Sequence, residues 1–322
     1  MLRRESGGGD SGGGLLEGAG CVECRTSMAK ARAIVKRRKA VRNIRKITKT
    51  MQMIATAKFQ KSLKRAVGTK PYTTKARELV RELASSAGNV EHPLLRRPSD
   101  VDRKKRVAVV VLTSNRGLAG GYNGSVIRTA NAFIRKQEAE GNSIELYVVG
   151  KKGASYFTFQ KRPIERRVNL GDMPKYEDAE KAANFLMDRF TEGEVDAVYV
   201  VYMNFVSAST QRPDVIDLLP LAGVEKEEKK GAAISGTVYE FSPEPEELLG
   251  ELLPLTVKAT LYQTFLDATT SEHVARMVAM KSATDNADKL VKSLTMQYNR
   301  ARQSQITTEL SEIMGGVEAM KA

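Results

Sequence analysis

The chain has 322 residues, of which 41% are hydrophobic and 28% are charged, a balance typical of a soluble globular protein of about two domains. The net charge of +14 predicts an acidic partner, which would be a nucleic acid, an anionic lipid or an acidic protein surface. Uninterrupted apolar runs are only a handful of residues long, so the sequence predicts no membrane-spanning helix.

Residues 1–27 are glycine-rich and polar, and they predict a disordered extension; Met28 stands as an alternative start of the chain. Both cysteines lie here, in the motif CVEC, which could bind a metal or carry out redox chemistry. Zinc would need two more ligands, and the only histidines are His92 and His273. We therefore predict no metal site and no cofactor.

The next segment has the pattern of a long basic helix. Forty residues from Met28 onward lack Gly and Pro, and up to Arg77 there are seventeen Lys or Arg residues and no acid. The apolar residues recur at spacings of mostly three, four or seven, which predicts one apolar face. This face comprises Ile34, Val41, Ile44, Ile47, Met51, Ile54 and Ala55.

Gly68 and Pro71 are expected to break this helix. The prediction is therefore a first long helix over 28–68, followed by a short helix and a linker over 69–105.

Residues 106–222 change character. The stretches RVAVVVLT, SIELYVVG and DAVYVVYMNFV are strand-like, and helical patterns lie between them at 122–140 and 176–191. Strands that alternate with helices predict an α/β domain with a largely parallel sheet. The stretch DVIDLLPL would add an edge strand, and 223–254 is predicted as a charged loop and connection.

The last part, 255–322, returns to helix. Its first sixty residues lack Gly and Pro, and an unbroken helix of that length spans roughly 90 Å, so it needs a second long helix to pack against. Four alanines at every fourth position would let that helix approach closely: Ala275, Ala279, Ala283 and Ala287. The predicted fold class is α/β, with a long antiparallel coiled coil of the N- and C-terminal helices and an inserted Rossmann-like three-layer α/β domain.

Catalytic chemistry has few candidate residues. The chain has two histidines and two cysteines, and it lacks the GxxxxGK[ST], HExxH and GxSxG motifs. We expect His273, in SEHVARM, to be a surface or packing histidine. The sequence therefore predicts no catalytic residue.

The stretch SNRGLAGGYNG, residues 114–124, lies between a predicted strand and a predicted helix, as a phosphate-binding loop does. Its glycine spacing is GxxGGxxG, whereas dinucleotide sites have GxGxxG. Glu145 lies inside the next strand and is a poor candidate for the ribose-binding acid. A nucleotide-binding loop stays open, but a tight turn with positive-φ glycines is favoured.

Two longer segments carry a resemblance. NIRKITKTMQMIATAKFQKS (43–62) and the segment 275–316, which begins ARMVAMKSATDNADKL, resemble the two ends of the gamma subunit of rotary ATP synthases. SNRGLAGGYNG resembles a third signature of that family, in which a cysteine usually stands where this chain has Ala119. The resemblance extends from Met28 to the C-terminus.

The resemblance implies a central rotor shaft that is not an enzyme by itself and has no cofactor. In this family the terminal helices form an antiparallel coiled coil inside three catalytic (beta) and three alpha subunits. The α/β domain docks with the epsilon subunit on the membrane c-ring. Rotation driven by protons would change the conformation of the catalytic subunits during ATP synthesis or hydrolysis. One copy per complex is implied, peripheral at the cytoplasmic face of the bacterial membrane, with no nucleic acid bound.

The resemblance also implies contacts with the catalytic subunits. Met51 matches a shaft methionine near their acidic loops, with a core methionine as the alternative. Arg276 matches an arginine implicated in energy coupling, with a solvated helix charge as the alternative. Arg302 and Gln303 match a pair that hydrogen-bonds to a catalytic-subunit loop. The other matched positions are Lys46, Arg116, Gly117, Gly120, Gly121, Thr307 and Glu312.

The basic helix fits this role, because exposed ion pairs of about 0–1 kcal/mol can exchange as a shaft turns. Two other functions stay open from the residues alone. A basic helix with an apolar stripe also fits a nucleic-acid-binding coiled coil. The second alternative, a Rossmann-type enzyme, is supported only by the loop at 114–124.

Overall fold

The computed structural model describes residues 20–86, 92–95, 105–168, 170–221 and 245–321. The elements, in chain order, are α1 (Gly20–Ser86), a 3-10 turn (Pro93–Leu95), β1 (Arg106–Leu112), α2 (Tyr122–Ala139), β2 (Ser143–Val149), α3 (Lys151–Phe159), β3 (Arg166–Val168), α4 (Tyr176–Thr191), β4 (Ala197–Phe205), β5 (Gln211–Leu219) and α5 (Pro245–Lys321). No helix within these ranges is both long and apolar enough to cross a membrane.

The chain divides into two compact units. The larger one, residues 51–280, contains the α/β fold together with part of each long helix. The smaller one contains the described residues of 1–50 and 281–322.

The five strands of the larger unit form one sheet in the order β3-β2-β1-β4-β5. β1 pairs in parallel with β2 and with β4, and β3 pairs in parallel with β2. β5 pairs antiparallel with β4 at the edge, which confirms the predicted edge strand. The central strand β1 is buried on both faces, and this explains its continuous apolar sequence.

The sheet lies between two layers of helix, which confirms the predicted three-layer architecture. Because side chains alternate along a strand, Ala108 and Val110 of β1 enter one core with α4 and α5, together with Val80 of α1. Val107 and Val109 enter the other core with α2 and α3.

Within the larger unit, the α1 and α5 segments run antiparallel. Gln263 Nε2 donates to the Ala66 carbonyl at 3.3 Å, and Arg77 Nε donates to Thr260 Oγ1 at 3.2 Å. The higher-numbered α1 residue meets the lower-numbered α5 residue, as an antiparallel pair requires.

In the smaller unit, the two helical segments are also antiparallel. Thr284 Oγ1 donates to Thr48 Oγ1 at 2.8 Å, and the Arg38 guanidinium lies 5.0 Å from the centre of the Tyr298 ring. Leu294, between these two contacts along α5, is buried. The predicted antiparallel pairing of the terminal helices is therefore confirmed within each unit.

The predicted helix break at Gly68 and Pro71 is wrong, because α1 continues through both to Ser86. Proline costs about 3 kcal/mol inside a helix because it lacks an N–H and crowds the preceding turn. Burial of Val80 and Leu83 outweighs this cost. The carbonyl that Pro71 leaves without a helical donor belongs to Val67, a residue that is 59% exposed.

Two more boundaries differ from the predictions. α1 already begins at Gly20, inside the predicted disordered extension, and 1–19 lie outside the described residues. α5 begins at Pro245, inside the predicted 223–254 connection, while 222–244 lie outside the described residues. Leu249, Leu253 and Val257 are buried on both sides of Pro254, and this packing holds the first turns of α5 helical.

Only part of the predicted apolar face of the basic helix is buried. Ala55 is 2% exposed, whereas Ile44 is 53% and Ile47 is 59% exposed. Met51 is 39% exposed, so it is not a core methionine of this chain. Four of the seven predicted residues, Ile44, Ile47, Met51 and Ile54, are therefore exposed, and the predicted apolar face is wrong over most of its length.

Candidate functional site

The turn after β1, residues 114–121, is built for close packing. Two of its residues have positive φ, Leu118 at 63° and Gly120 at 55°. A β-carbon on Gly120 would lie 3.5 Å from Cβ of Ala279 on α5, so the turn packs directly on that helix. The favoured prediction of a positive-φ glycine turn is confirmed at Gly120, whereas Gly121 has a φ of −82°.

The backbone N–H groups next to this turn are already occupied. At the N-terminus of α3, Lys151 N donates to Asn115 Oδ1 at 3.2 Å and Lys152 N donates to the Ser114 carbonyl at 3.1 Å. Gly153 N donates to Thr113 Oγ1 at 2.9 Å. Helix N-termini bind phosphate through free N–H groups, and here protein oxygens take them. This geometry argues against phosphate binding at the N-terminus of α3, which lies beside the turn.

α5 also covers the edge of the sheet where a doubly wound fold binds its ligand. That place is the carboxyl end of the strands, between β1 and β4. Ser271 Oγ of α5 donates to the Met203 carbonyl of β4 at 3.2 Å. A cavity at this edge, lined by Thr113, Asn115 and Glu272 among others, measures about 30 Å³, which is room for water rather than a nucleotide.

The side chain of Arg276 on α5 binds backbone carbonyls of the turn. Its Nη2 donates to the Arg116 carbonyl at 3.3 Å, and its Nε donates to the Gly117 carbonyl at 3.4 Å. Nη2 also pairs with Glu272 Oε1 at 2.7 Å, and the two side chains are only 12% and 18% exposed. Burial raises the pKa of Glu272, and the Arg276 charge opposes that rise. Arg276 is thus no solvated helix charge.

His273, one residue after Glu272, is a packing histidine, as predicted. It is 2% exposed, and its Nε2 lies 3.4 Å from the Asp172 carbonyl oxygen. Burial, with the nearby Arg276 charge, lowers the pKa of His273 to about 4. The ring is therefore neutral at pH 7, and the Nε2–H tautomer would donate to Asp172.

We expect His273→Gln to change the pH dependence of stability. The histidine pKa is about 4 when folded and 6.5 when unfolded, so its contribution is fully present above pH 6.5 and is lost as pH falls through 4. Between pH 8 and pH 4, the free energy of unfolding should therefore fall by about 3 kcal/mol more in the wild-type chain than in the variant. Urea unfolding of both chains at each pH measures this.

Asp267 titrates in the same pH range as His273. Burial raises its pKa to about 6, so its contribution falls as pH rises from 3.8 to 6, opposite to that of His273. Since both chains retain Asp267, this effect cancels in the difference between them. A difference that stays constant with pH would contradict the assignment to His273.

Two residues that the sequence did not single out complete this site. The Asp172 carboxylate, in the loop between β3 and α4, pairs with Lys58 Nζ of α1 and lies 3.5 Å from Arg116 Nη2. The hydrogen bond from Lys58 lowers the pKa of Asp172. No local signal could have found this pair, because 114 residues separate its members.

The predicted site residues fall into two groups, and Met51, exposed on α1 in the larger unit, lies outside both. The structure brings Arg276 together with the turn residues Arg116, Gly117 and Gly120, and with Gly121 at the start of α2. The others in the smaller unit are all exposed and do not belong to this cluster: Lys46, Arg302, Gln303, Thr307 and Glu312.

Comparison with known proteins gives a consistent result. A family model described as ATP synthase matches residues 30–320. An ATP synthase gamma chain of Rhodopirellula baltica is 43% identical over 298 residues, covering 91% of this chain and all of the relative. An ATP synthase gamma chain of Leptospira biflexa is 40% identical over 294 residues, with the same shares covered.

Solved structures show the same fold. A chain of the Euglena gracilis mitochondrial ATP synthase (OSCP/F1/c-ring) superposes with a TM-score of 0.62 at 18% identity, covering 91% of this chain and 95% of its own length. A chain from the central stalk/c-ring of the Tetrahymena thermophila mitochondrial ATP synthase has a TM-score of 0.52 at 23% identity, covering 74% and 99%. The family model and the gamma-chain relatives together show that the chain belongs to the ATP synthase gamma chain family.

Proposed function

We propose that this chain is the central rotor shaft of a proton-translocating ATP synthase. The observation that carries the proposal is the 43% identity to a gamma chain that is covered over its whole length. The antiparallel helix pair supports it, because a shaft needs a stiff element that can transmit torque. The partners are three catalytic and three alpha subunits, an epsilon subunit and the membrane c-ring.

The proposed mechanism depends on contacts between this chain and the catalytic subunits rather than on covalent chemistry in this chain. Each orientation of an asymmetric shaft stabilises a different conformation of each catalytic subunit, so rotation moves the catalytic sites through their states. The chain itself makes and breaks no bond and is a non-catalytic subunit. It acts peripherally, at the cytoplasmic face of the bacterial energy-coupling membrane.

The residues we propose for coupling are exposed, and several of them are charged. Lys46 and Met51 lie on the basic stretch of α1, and acidic loops of the catalytic subunits would meet them there. Arg302 and Gln303 would hydrogen-bond to a catalytic-subunit loop, with Thr307 and Glu312 in the same segment. Exposed ion pairs contribute about 0–1 kcal/mol each, so none of them would hold the shaft at one angle.

Arg116 and Arg276 have different tasks in this proposal. Arg276 fixes the backbone of the turn, while the Arg116 side chain, 73% exposed, faces outward from it. Arg116 is therefore the residue of the turn that would meet an acidic loop, and Arg276 would set its position.

Co-expression with the catalytic and alpha subunits of the same organism tests the proposal. We expect one copy of this chain per six partner subunits in the purified complex, and ATP hydrolysis that depends on its presence. Subunits prepared without the chain are the control. Purification of the chain apart from the other subunits, with undiminished hydrolysis in its absence, would refute the proposal.

A further inference from the structure

Resting on the shaft function proposed above, we propose that Asp172 is a positioning residue of the coupling surface. Its carboxylate is the acidic partner of Arg116 within this chain. As the shaft turns, an acidic group of a catalytic subunit takes the place of that carboxylate. The proposal rests on the arrangement of Asp172, Arg116 and Lys58 at the carboxyl edge of the sheet.

The loop that carries Asp172 is tied to the turn and to both long helices. Asn115 Nδ2 in the turn donates to the Leu170 carbonyl at 2.6 Å. Lys58 of α1 pairs with the Asp172 side chain, and His273 of α5 lies 3.4 Å from its carbonyl oxygen. The loop therefore fixes where the Asp172 carboxylate stands relative to the turn.

The two cations on Asp172 are held differently. Lys58 is one-third exposed and donates a hydrogen bond to the carboxylate, which makes it the firm partner. Arg116 is 73% exposed, and its guanidinium lies 3.5 Å from the same oxygen, too far for a good hydrogen bond. Arg116 is therefore the partner that can leave.

The backbone of Arg116 does not share this freedom. Arg276 binds the Arg116 and Gly117 carbonyls, and Glu272 holds Arg276 in place. A fixed backbone with a loosely held guanidinium allows the side chain to exchange one carboxylate for another without moving the turn. The internal carboxylate also weakens the net attraction of Arg116 for any external acid, because the two acids compete for one cation.

The test is the salt dependence of ATP hydrolysis by the assembled complex. Asp172→Asn removes the internal competitor, so Arg116 should hold the catalytic subunit too firmly. We expect kcat at low salt to fall about threefold, and the deficit to disappear as added salt screens exposed charges. Adding Arg116→Gln to the same chain should restore kcat.

Two controls separate positioning from folding. Asp188→Asn removes an equal charge from an exposed position on α4 and should leave both kcat and its salt dependence unchanged. Asp172→Glu keeps the charge and should behave like the wild-type chain. Thermal unfolding of each complex shows whether the variants are folded.

Three results would overturn the proposal: no deficit in Asp172→Asn, a deficit independent of salt, or a deficit that Arg116→Gln does not relieve. If Asp172→Asn does not assemble, Arg116→Gln alone should still flatten the salt dependence, and an unchanged dependence would overturn the proposal. Failure of the wild-type chain to assemble would instead reject the shaft function.

Discussion

Gly150→Ala is expected to destabilise the α/β unit by about 3 to 5 kcal/mol. A β-carbon at this position would lie 2.7 Å from the Thr113 carbonyl carbon, and closer still to its oxygen, in a backbone with φ of +92°. Thr113 is unable to move away, because its N–H and its hydroxyl both donate to the Val149 carbonyl, at 2.9 and 2.7 Å. Urea unfolding of the purified chain measures the loss.

Gly141→Ala is the control for a positive φ without a clash. Gly141 has a similar φ of +83°, but no atom lies within 4 Å of its would-be β-carbon. Only the conformational cost applies there, about 1 kcal/mol. Equal losses in the two variants would show that contact with Thr113 does not determine the requirement for glycine at 150.

Arg276→Met is expected to cost about 3 kcal/mol of unfolding free energy. The change leaves the Glu272 carboxylate, whose side chain is 18% exposed, without the cation that compensates its burial. It also removes the donors to the Arg116 and Gly117 carbonyls. Chemical unfolding at pH 7 would measure the effect, which should shrink at lower pH as Glu272 takes up a proton.

A second variant distinguishes the charge from the packing. Glu272→Gln combined with Arg276→Met removes the buried charge, so the pair should recover at least half of the lost stability. If the double variant is as unstable as Arg276→Met, the loss comes from the turn contacts or the packing, and the ion pair is not its main cause.

Much of the fold could be predicted because the deciding signals are local. β1, β2, β4 and the helices α2 and α4 follow from apolar periodicity and were placed to within a few residues. α3 and β3 were missed, since nine residues that include Gly153 and a strand of three give too little pattern. The predicted break at Pro71 failed because burial elsewhere on α1 outweighed a local preference.

The candidate site was predictable only where the sequence carries a family pattern. Arg116 and Arg276 were named from the resemblance, and the structure brings them together. Lys58 and Asp172 were not named, because an ion pair across 114 residues leaves no trace in spacing or composition. Which edge of the basic helix is exposed, as at Ile44 and Ile47, depends on packing that periodicity does not specify.

Observation of rotation tests the central claim most directly. Phe159, at the end of α3, is 87% exposed, so Phe159→Cys gives a site for a bead once the chain's only cysteines, Cys21 and Cys24, are replaced by serine. With the catalytic subunits fixed to a surface, ATP should drive continuous rotation of the bead in one direction. A bead that stays still while the same complexes hydrolyse ATP would contradict the shaft function.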